Sequence, residues 1–202
     1  MTESDSPALL IVDVQNDFCA GGALAVERGD QVVPVMNRLA AYVSALGLPI
    51  YASRDWHPAA SAHFREGGGP WPRHCVAGTA GARLHPDLAL PSTTMIVSKG
   101  TGTHEHGYSA FEGTVAGRGT LQEDLRARGV DHLIVGGLAT DHCVRASVLD
   151  ALRLGVAVTV VEDGVRAVDA AAGARALDEM RAAGAAVTNS DELLATARPD
   201  VL

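Results

Sequence analysis

The sequence predicts an α/β fold, a doubly wound parallel sheet of six strands with helices on both faces. Short runs of apolar residues alternate along the chain with longer amphipathic segments, and glycines follow those segments. Continuously apolar runs are typical of strands buried on both faces, which is the usual setting of a parallel sheet. Because each parallel crossover must be covered by a helix, this alternation predicts helical layers on both sides.

The six apolar runs that we predict as strands are Ala8 to Val14, Pro49 to Ser53, Met95 to Ser98, His132 to Gly136, Ala157 to Glu162 and Ala186 to Thr188. The helical patterns are Asp30 to Leu46, Leu121 to Arg128, Asp141 to Leu154 and Asp169 to Ala183. Gly47, Gly129, Gly155 and Gly184 follow as C-terminal stops, and Asp191 is placed to cap a last short helix.

The length and composition predict one ordinary domain. At 202 residues, with 47% hydrophobic and 20% charged residues, the chain can bury one substantial core, and we expect a single domain over residues 1–202. Residues 56–94 interrupt the alternation with Gly, Pro and His, and an irregular insertion of that length is more often functional than idle. We expect this insertion to bind a metal.

Charge and hydropathy exclude several classes of partner. The net charge is −8 and the basic residues are scattered, so the sequence has no electrostatic footprint for nucleic acid or an anionic membrane. Apolar runs fall short of the ~20 residues that span a bilayer, and the N-terminus is acidic where a signal peptide would be basic. We therefore expect a cytoplasmic protein with a small-molecule substrate. Homo-oligomerisation stays open.

One carboxylate and three imidazoles lie close together in the sequence, at Asp55, His57, His63 and His74. This ligand set suits one divalent ion, Zn²⁺, Fe²⁺ or Mn²⁺. The alternative is a loop with surface histidines. The four together, with a Gly-Gly-Gly-Pro stretch at 67–70 that lets the backbone fold back, favour a metal site.

Three further residues fall where parallel strands end. Asp13 ends the first predicted strand, Lys99 follows the third, and Cys143 opens a helix after the fourth. A thiolate near a helix N-terminus and an ammonium is stabilised, so we predict a lowered pKa for a nucleophilic Cys143, with Asp13 moving the proton. Taken singly, such residues are more often a cap, a solvated lysine and a core cysteine.

Four other residues are interpreted as structural. His142 adjoins Cys143, but neighbours on a helix point roughly 100° apart, so it is poorly placed as a base. The sequence offers no nearby partner for Cys19, Cys75 or His85. The odd number of cysteines argues against a disulfide framework.

Six short motifs lie at Val12 to Phe18, Arg54 to Pro58, Trp71 to Cys75, Ser98 to Gly100, Tyr108 to Phe111 and Ala139 to Val144. In this order they resemble the motifs of the nicotinamidase/pyrazinamidase family in the isochorismatase-like cysteine hydrolase superfamily. The resemblance extends from about Ala8 to Asp191. It implies an Asp13–Lys99–Cys143 triad and the metal ligands given above.

The resemblance also implies a substrate pocket. Phe18 and Trp71 would sandwich a flat heteroaromatic ring, and Tyr108 and the Leu138–Ala139 segment would lie beside it. A cis peptide is expected at Leu138–Ala139, with the N–H groups of Ala139 and Cys143 as oxyanion donors. For Phe18 and Tyr108, ordinary core packing is the alternative.

The activity that the resemblance implies is hydrolysis of nicotinamide to nicotinate and ammonia through a thioester on Cys143, with pyrazinamide as a further substrate. One alternative is a related hydrolase of carbamoyl, ureido or vinyl-ether compounds, and another is a non-catalytic metal-binding or thiol-redox protein. The sequence departs from the family in a longer segment, Thr101 to Gly107, which carries His104, Glu105 and His106. We interpret it as a solvated loop, with a lid or an adventitious metal site as alternatives.

Overall fold

The structure, a computed structural model, describes residues 6–196. The acidic stretch 1–5, on which the expectation of no signal peptide partly rests, lies outside the described residues. Within 6–196, every helix is too short or too polar to cross a membrane.

Strands and helices alternate along the chain as expected. The strands are β1 (Pro7–Val12), β2 (Ile50–Asp55), β3 (Met95–Lys99), β4 (Thr114–Val115), β5 (Gly119–Thr120), β6 (His132–Leu138), β7 (Ala157–Arg166) and β8 (Ala186–Thr188). The α-helices are α1 (Val32–Ala45), α2 (Leu121–Ala127), α3 (Arg145–Arg153), α4 (Ala170–Ala182) and α5 (Ser190–Thr196).

The sheet has eight strands in the order β5-β4-β3-β2-β1-β6-β7-β8. Six neighbouring strands pair in parallel and match the six predicted strands, in the order β3-β2-β1-β6-β7-β8. The prediction of six strands in total is wrong, because the antiparallel pair β4 and β5 extends one edge. Each of these strands has only two residues, which is too short for a hydrophobic pattern to reveal.

Two hydrophobic cores cover the two faces of the sheet. Leu10 of β1 packs into the core that includes Leu125 of α2 and Val148 of α3. Its neighbours Leu9 and Ile11 pack into the other core, with Met36 of α1. Because successive strand residues point to opposite faces, β1 is apolar throughout, and the prediction of helices on both faces is confirmed.

The predicted helix stops are confirmed, since Gly47, Gly129, Gly155 and Gly184 all have positive φ. The predicted cap of α5 is wrong. The side chain of Asn189 accepts a hydrogen bond from Glu192 N at 2.8 Å, whereas Asp191 pairs with Arg38 at 2.6 Å. Asn189 lies one residue before the helix, which is where a capping side chain reaches the first turn.

The sheet brings the ends of four parallel strands together at one edge. Asp55 and Lys99 are the last residues of β2 and β3 and are paired in register. Asp13 and Ala139 directly follow β1 and β6, which are neighbours in the sheet. Between β2 and β3, residues 56–94 are irregular apart from a single 3₁₀ turn, Arg65–Gly67. Function at an α/β sheet is expected at this edge.

Candidate active site and metal centre

Asp13, Lys99 and Cys143 converge as predicted. Lys99 Nζ lies 2.8 Å from Asp13 Oδ2 and 3.6 Å from Cys143 Sγ. Asp13 and Lys99 are almost wholly buried, and Cys143 is 7% exposed. Cys143 lies in a π-helical turn, Thr140–Val144, that leads into α3, and such turns occur frequently at functional sites.

Asp13 adopts a strained backbone conformation. Its φ is +48°, in the left-handed region that residues other than glycine rarely adopt. The hydroxyl of Ser53 on β2 donates a hydrogen bond to Asp13 Oδ1 at 2.7 Å. This bond orients the carboxylate and leaves Oδ2 for Lys99. Sequence reasoning missed Ser53, because a serine in an apolar strand carries no signal of its own.

The predicted lowering of the Cys143 pKa is wrong. Burial raises the pKa of the Cys143 thiol well above its usual value, Lys99 lowers it in part, and Asp13 and Asp55 raise it. Burial likewise raises the pKa of Asp13, although Lys99 opposes the shift. The resting cysteine is therefore a thiol next to a carboxylate of enhanced basicity. The sequence indicated the lowering of the Cys143 pKa by the helix N-terminus and by Lys99, but it did not indicate how deeply the thiol is buried.

Three imidazoles form a buried cluster. The ring nitrogens of His57, His63 and His74 include a set that lies within 4.8 Å of one another. Asp55 Oδ2 lies 3.6 Å from His57 Nε2 and 3.9 Å from His74 Nε2. The structure thus brings together all four predicted ligands.

Each imidazole is oriented through its Nδ1 atom. When Nδ1 of a neutral ring donates to a carbonyl, Nε2 keeps a free lone pair for a metal. The contacts are His57 Nδ1 to Gly100 O at 3.1 Å, His74 Nδ1 to Pro72 O at 2.7 Å, and His63 Nδ1 to His106 Nδ1 at 3.5 Å.

The donor set fits a divalent ion. His57 Nε2 is buried and has no hydrogen-bond partner among the described residues, as expected of an atom that serves a ligand. Burial lowers the pKa of His63 to about 4, with further lowering by His57 and His74, and burial also lowers the pKa of His74. These rings are neutral at pH 7 and can donate lone pairs. Burial opposes ionisation of Asp55, yet Lys99 and His57 bring its pKa below the ordinary value.

Gly100 is required next to the metal set. A Cβ at this position would lie 2.4 Å from His57 Cε1, and its φ of +62° also favours glycine. The carbonyl that orients His57 can approach the ring only because no side chain intervenes.

A pocket lies over both sets of residues. Its lining includes Phe18, Trp71, Tyr108, Ala139 and Cys143, which were all predicted as site residues. Trp71 Nε1 donates a hydrogen bond to the Tyr108 hydroxyl at 2.8 Å, which fixes one wall. Phe18 also packs in the core on the α1 face, and Tyr108 packs partly against the other core, so both residues combine core packing with a place in the pocket wall.

Leu138 is not part of this pocket. Its side chain is fully buried in the core on the α1 face of the sheet. As the last residue of β6 it alternates in direction with its neighbours, and this alternation turns the side chain to the core. The cis peptide expected between Leu138 and Ala139 is present.

Several pocket residues were missed or misread. His142, interpreted as structural, lines the pocket and meets Trp71 edge-on with ring centroids 5.0 Å apart. His106 also lines it, so the segment Thr101 to Gly107 is more than a solvated loop. The remaining lining residues that the sequence did not reveal are Leu24, Val26, Gly107 and Val168. They come from connections whose path the local sequence pattern does not determine.

Cys75 is fully buried, and burial raises the pKa of its thiol well above the usual value, in keeping with a structural role. The interpretation that Cys19 and His85 lack partners is wrong. One donor atom from each of Cys19, Asp30 and His85 lies within 4.8 Å of the other two.

An α/β sheet that carries a buried Cys–Lys–Asp set and a His₃–carboxylate set at one edge is typical of cysteine hydrolases with a metal site. The chain belongs to the isochorismatase family, since the model of the isochorismatase domain matches residues 7–192.

Three relatives show how far the similarity extends. The nicotinamidase of Escherichia coli (strain K12) is 46% identical over 196 residues, covering 88% of this chain and 92% of the relative. The nicotinamidase/pyrazinamidase of Mycobacterium tuberculosis (strain ATCC 25618 / H37Rv) is 41% identical over 179 residues, covering 87% and 95%. The crystal structure of Pyrococcus horikoshii pyrazinamidase in complex with zinc aligns with a TM-score of 0.85 at 41% identity, covering 91% of this chain and 99% of that one.

Proposed function

We propose that this protein is a metal-dependent cysteine amidohydrolase that converts nicotinamide to nicotinate and ammonia in NAD salvage, and that it also hydrolyses pyrazinamide. The observation that carries the proposal is the position of Cys143. It lines a pocket walled by Phe18, Trp71 and Tyr108, directly beside the imidazole cluster. The names of the similar proteins support the same substrate class. We expect a cytoplasmic enzyme of one domain.

The pocket suits a small flat ring. Aromatic walls favour offset or edge-on contacts with such a ring, worth ~0.5–1.5 kcal/mol each beyond burial. Phe18 lies with its ring centroid 5.5 Å from that of His74, at the junction between the aromatic wall and the metal ligands. An ion held by Asp55, His57, His63 and His74 would supply a Lewis-acid contact for the pyridine nitrogen and so orient the ring.

The first half-reaction transfers the acyl group to sulfur. Cys143 Sγ attacks the carboxamide carbon as its proton passes to Asp13, whose raised pKa suits it as a base. The N–H groups of Ala139 and Cys143 are the proposed donors to the tetrahedral oxyanion. Asp13 then gives the proton to the departing nitrogen. The C–N bond breaks, ammonia leaves and a nicotinoyl thioester stays on Cys143.

The second half-reaction restores the thiol. Asp13 takes a proton from a water molecule whose oxygen attacks the thioester carbon. The C–S bond breaks, the Asp13 proton returns to sulfur, and nicotinic acid leaves and loses its own proton to solvent as nicotinate. Lys99 is an ammonium in the resting enzyme, since Asp13 and Asp55 raise its pKa well above the usual value against the effect of burial.

Ammonia release from nicotinamide tests the proposal directly. We expect release by the purified enzyme, loss of release after chelation, and recovery on adding back Zn²⁺, Fe²⁺ or Mn²⁺. Cys143→Ala should be inactive while it keeps its fold and metal content. Mass spectrometry of enzyme quenched during turnover should place a nicotinoyl adduct on Cys143. An adduct on Cys19 or Cys75, or release only from carbamoyl or ureido compounds, would refute the proposal.

A further inference from the structure

A second cluster of metal-ligating side chains lies outside the site described above. It comprises Cys19, Asp30 and His85, and a set of their donor atoms lies within 4.8 Å of one another. None of the three belongs to the proposed metal set at the sheet edge. They come from three separate segments, the turn after β1, the 3₁₀ turn Gly29–Gln31 before α1, and the irregular insertion.

We propose that Cys19, Asp30 and His85 form a second binding site for a divalent ion with affinity for thiolate, such as Zn²⁺ or Cd²⁺. A thiolate, a carboxylate and an imidazole are the three side-chain donor types that Zn²⁺ uses in proteins. Three protein ligands leave one position of a tetrahedral ion to water. The nitrogen–sulfur component distinguishes this site from one for Mg²⁺ or Ca²⁺, which prefer oxygen ligands.

The cluster is reachable from solvent. Cys19 is only 2% exposed, but it and His85 line the same open surface cavity. Asp30 and His85 are partly exposed. An ion can therefore enter without unfolding of the core. A structural thiol–carboxylate contact alone would not explain why an imidazole converges on the same point.

The thiol is protonated before an ion binds. Burial, together with the charge and hydrogen bonding of Asp30, raises the pKa of Cys19 to about 12. The ion would displace this proton to solvent and take its place between the sulfur and the carboxylate. One hydrogen bond is exchanged as well, because Asp87 N donates to His85 Nδ1 at 3.2 Å. His85 loses this hydrogen bond whichever ring nitrogen binds the ion. An ion on Nδ1 occupies the lone pair that accepts the bond, and an ion on Nε2 requires the tautomer in which Nδ1 carries the proton and cannot accept it.

Binding would brace the segment that carries Phe18. Cys19 follows Phe18 in the chain, and Ala20 N already donates to Asp30 Oδ1 at 2.8 Å. Phe18 O accepts from Val26 N at 3.0 Å, and both Phe18 and Val26 line the substrate pocket. An ion that joins Cys19 to Asp30 and His85 would tie this wall to the start of α1 and to the insertion.

Cadmium titration tests the site. The purified protein, freed of excess metal, is titrated with Cd²⁺, and bound metal per chain is measured by elemental analysis. In parallel, near-ultraviolet absorption reports thiolate-to-Cd²⁺ charge transfer. The proposed metal set at the sheet edge contains no thiolate, so the band should report Cys19. We expect two ions per chain and a band in the wild type, and one ion and no band in Cys19→Ser.

Two further variants complete the test. Cys143→Ala removes the thiol of the proposed catalytic set and should keep both ions and the band. His85→Gln alters a partly exposed side chain, so it should fold even if Cys19→Ser does not. Since loss of an outer-shell partner already costs 10–100-fold, loss of this ligand should weaken the band-forming site by at least ~100-fold. A band that persists in Cys19→Ser, that vanishes in Cys143→Ala, or that is absent from the wild type would overturn the proposal.

Discussion

Lys99 and Asp55 form a direct ion pair, with Lys99 Nζ 2.5 Å from Asp55 Oδ1. The pair joins the proposed catalytic set to the proposed metal set, because Lys99 also contacts Asp13, and Asp55 also faces His57 and His74. The two residues are register partners at the ends of β2 and β3. A single ammonium is thus shared by two buried carboxylates, Asp13, which is proposed to carry the proton, and Asp55, which is proposed to bind the metal.

Replacing Lys99 should therefore damage both sets. In Lys99→Met, Asp13 and Asp55 lose their shared counter-charge, and the Cys143 thiol loses the group that lowers its pKa. We expect slower alkylation of Cys143 by iodoacetamide at neutral pH, mapped by mass spectrometry. Metal affinity should also fall by about 10–100-fold, as expected when a ligand loses its outer partner.

Cys143→Ala is the control for this prediction. It removes the nucleophile without removing a contact of Asp55 with Lys99, so its metal affinity should match that of the wild type. Unchanged metal affinity in Lys99→Met would show that the ion pair does not support the metal ligand.

His106 should contribute to metal affinity through His63. Its Nδ1 lies 3.5 Å from His63 Nδ1, the position that carbonyls occupy for the other two imidazoles. We expect His106→Ala to weaken metal binding by about 10-fold, the lower end of outer-shell effects, because its side chain is exposed. Competition with a metal-sensitive dye measures this affinity.

The same loop provides the control. His104 is also exposed and lies two residues earlier, and it does not line the pocket. His104→Ala should leave metal affinity unchanged. Equal losses in the two variants would assign the effect to the loop as a whole and not to the His63 contact.

Asp124 should contribute to stability at neutral pH. It accepts hydrogen bonds from the Tyr51 hydroxyl and from Arg128 Nε, each at 2.8 Å. Burial opposes its ionisation, but Arg128 and Tyr51 bring its pKa below the ordinary value. We expect Asp124→Asn to lower the free energy of unfolding by about 1–3 kcal/mol, measured by urea denaturation.

The pH dependence of this loss has a definite sign. The pKa of Asp124 is lower in the folded than in the unfolded protein, so its stabilising effect is full above the unfolded pKa of about 3.9. It is lost as the pH falls through the folded value. The difference in the free energy of unfolding between the wild type and Asp124→Asn should narrow below pH ~4. A gap that does not change with pH would mean that the carboxylate charge is not what stabilises the fold.

The sequence was sufficient for the features that follow from general topology. Apolar runs identified the parallel strands, and the convergence of their C-terminal ends brought Asp13, Lys99 and the metal ligands to one edge. Cys143 followed from its place after β6. These inferences need only local pattern and the handedness of parallel connections.

Features set by tertiary detail were not predictable in this way. His106 and His142 reach the pocket because of loop paths, and Ser53 reaches Asp13 because two strands lie side by side. The direction of the Cys143 pKa depends on how completely the core surrounds it, which no local pattern reports. The prediction that Leu138 lines the pocket is wrong, because the resemblance indicated the Leu138–Ala139 peptide bond but not the direction of the Leu138 side chain.

Comparison of nicotinamide with benzamide separates two roles of the proposed ion, orienting the pyridine ring and generating the attacking hydroxide. Benzamide lacks the ring nitrogen that the metal set is proposed to hold, so it should be a much poorer substrate than nicotinamide. His57→Ala, or chelation, should strongly reduce kcat/KM for nicotinamide and reduce that for benzamide far less, so that the ratio between them shrinks. Benzamide is also the internal control, because disturbance of Asp55 and its partner Lys99 would slow both substrates alike. Equal losses with accumulation of the thioester on Cys143 would instead assign the ion to making the attacking hydroxide, whereas equal losses without accumulation would indicate disturbance of Asp55 and Lys99. Benzamide turnover as fast as that of nicotinamide by the intact enzyme would remove the physical basis for a pyridine carboxamide as the substrate.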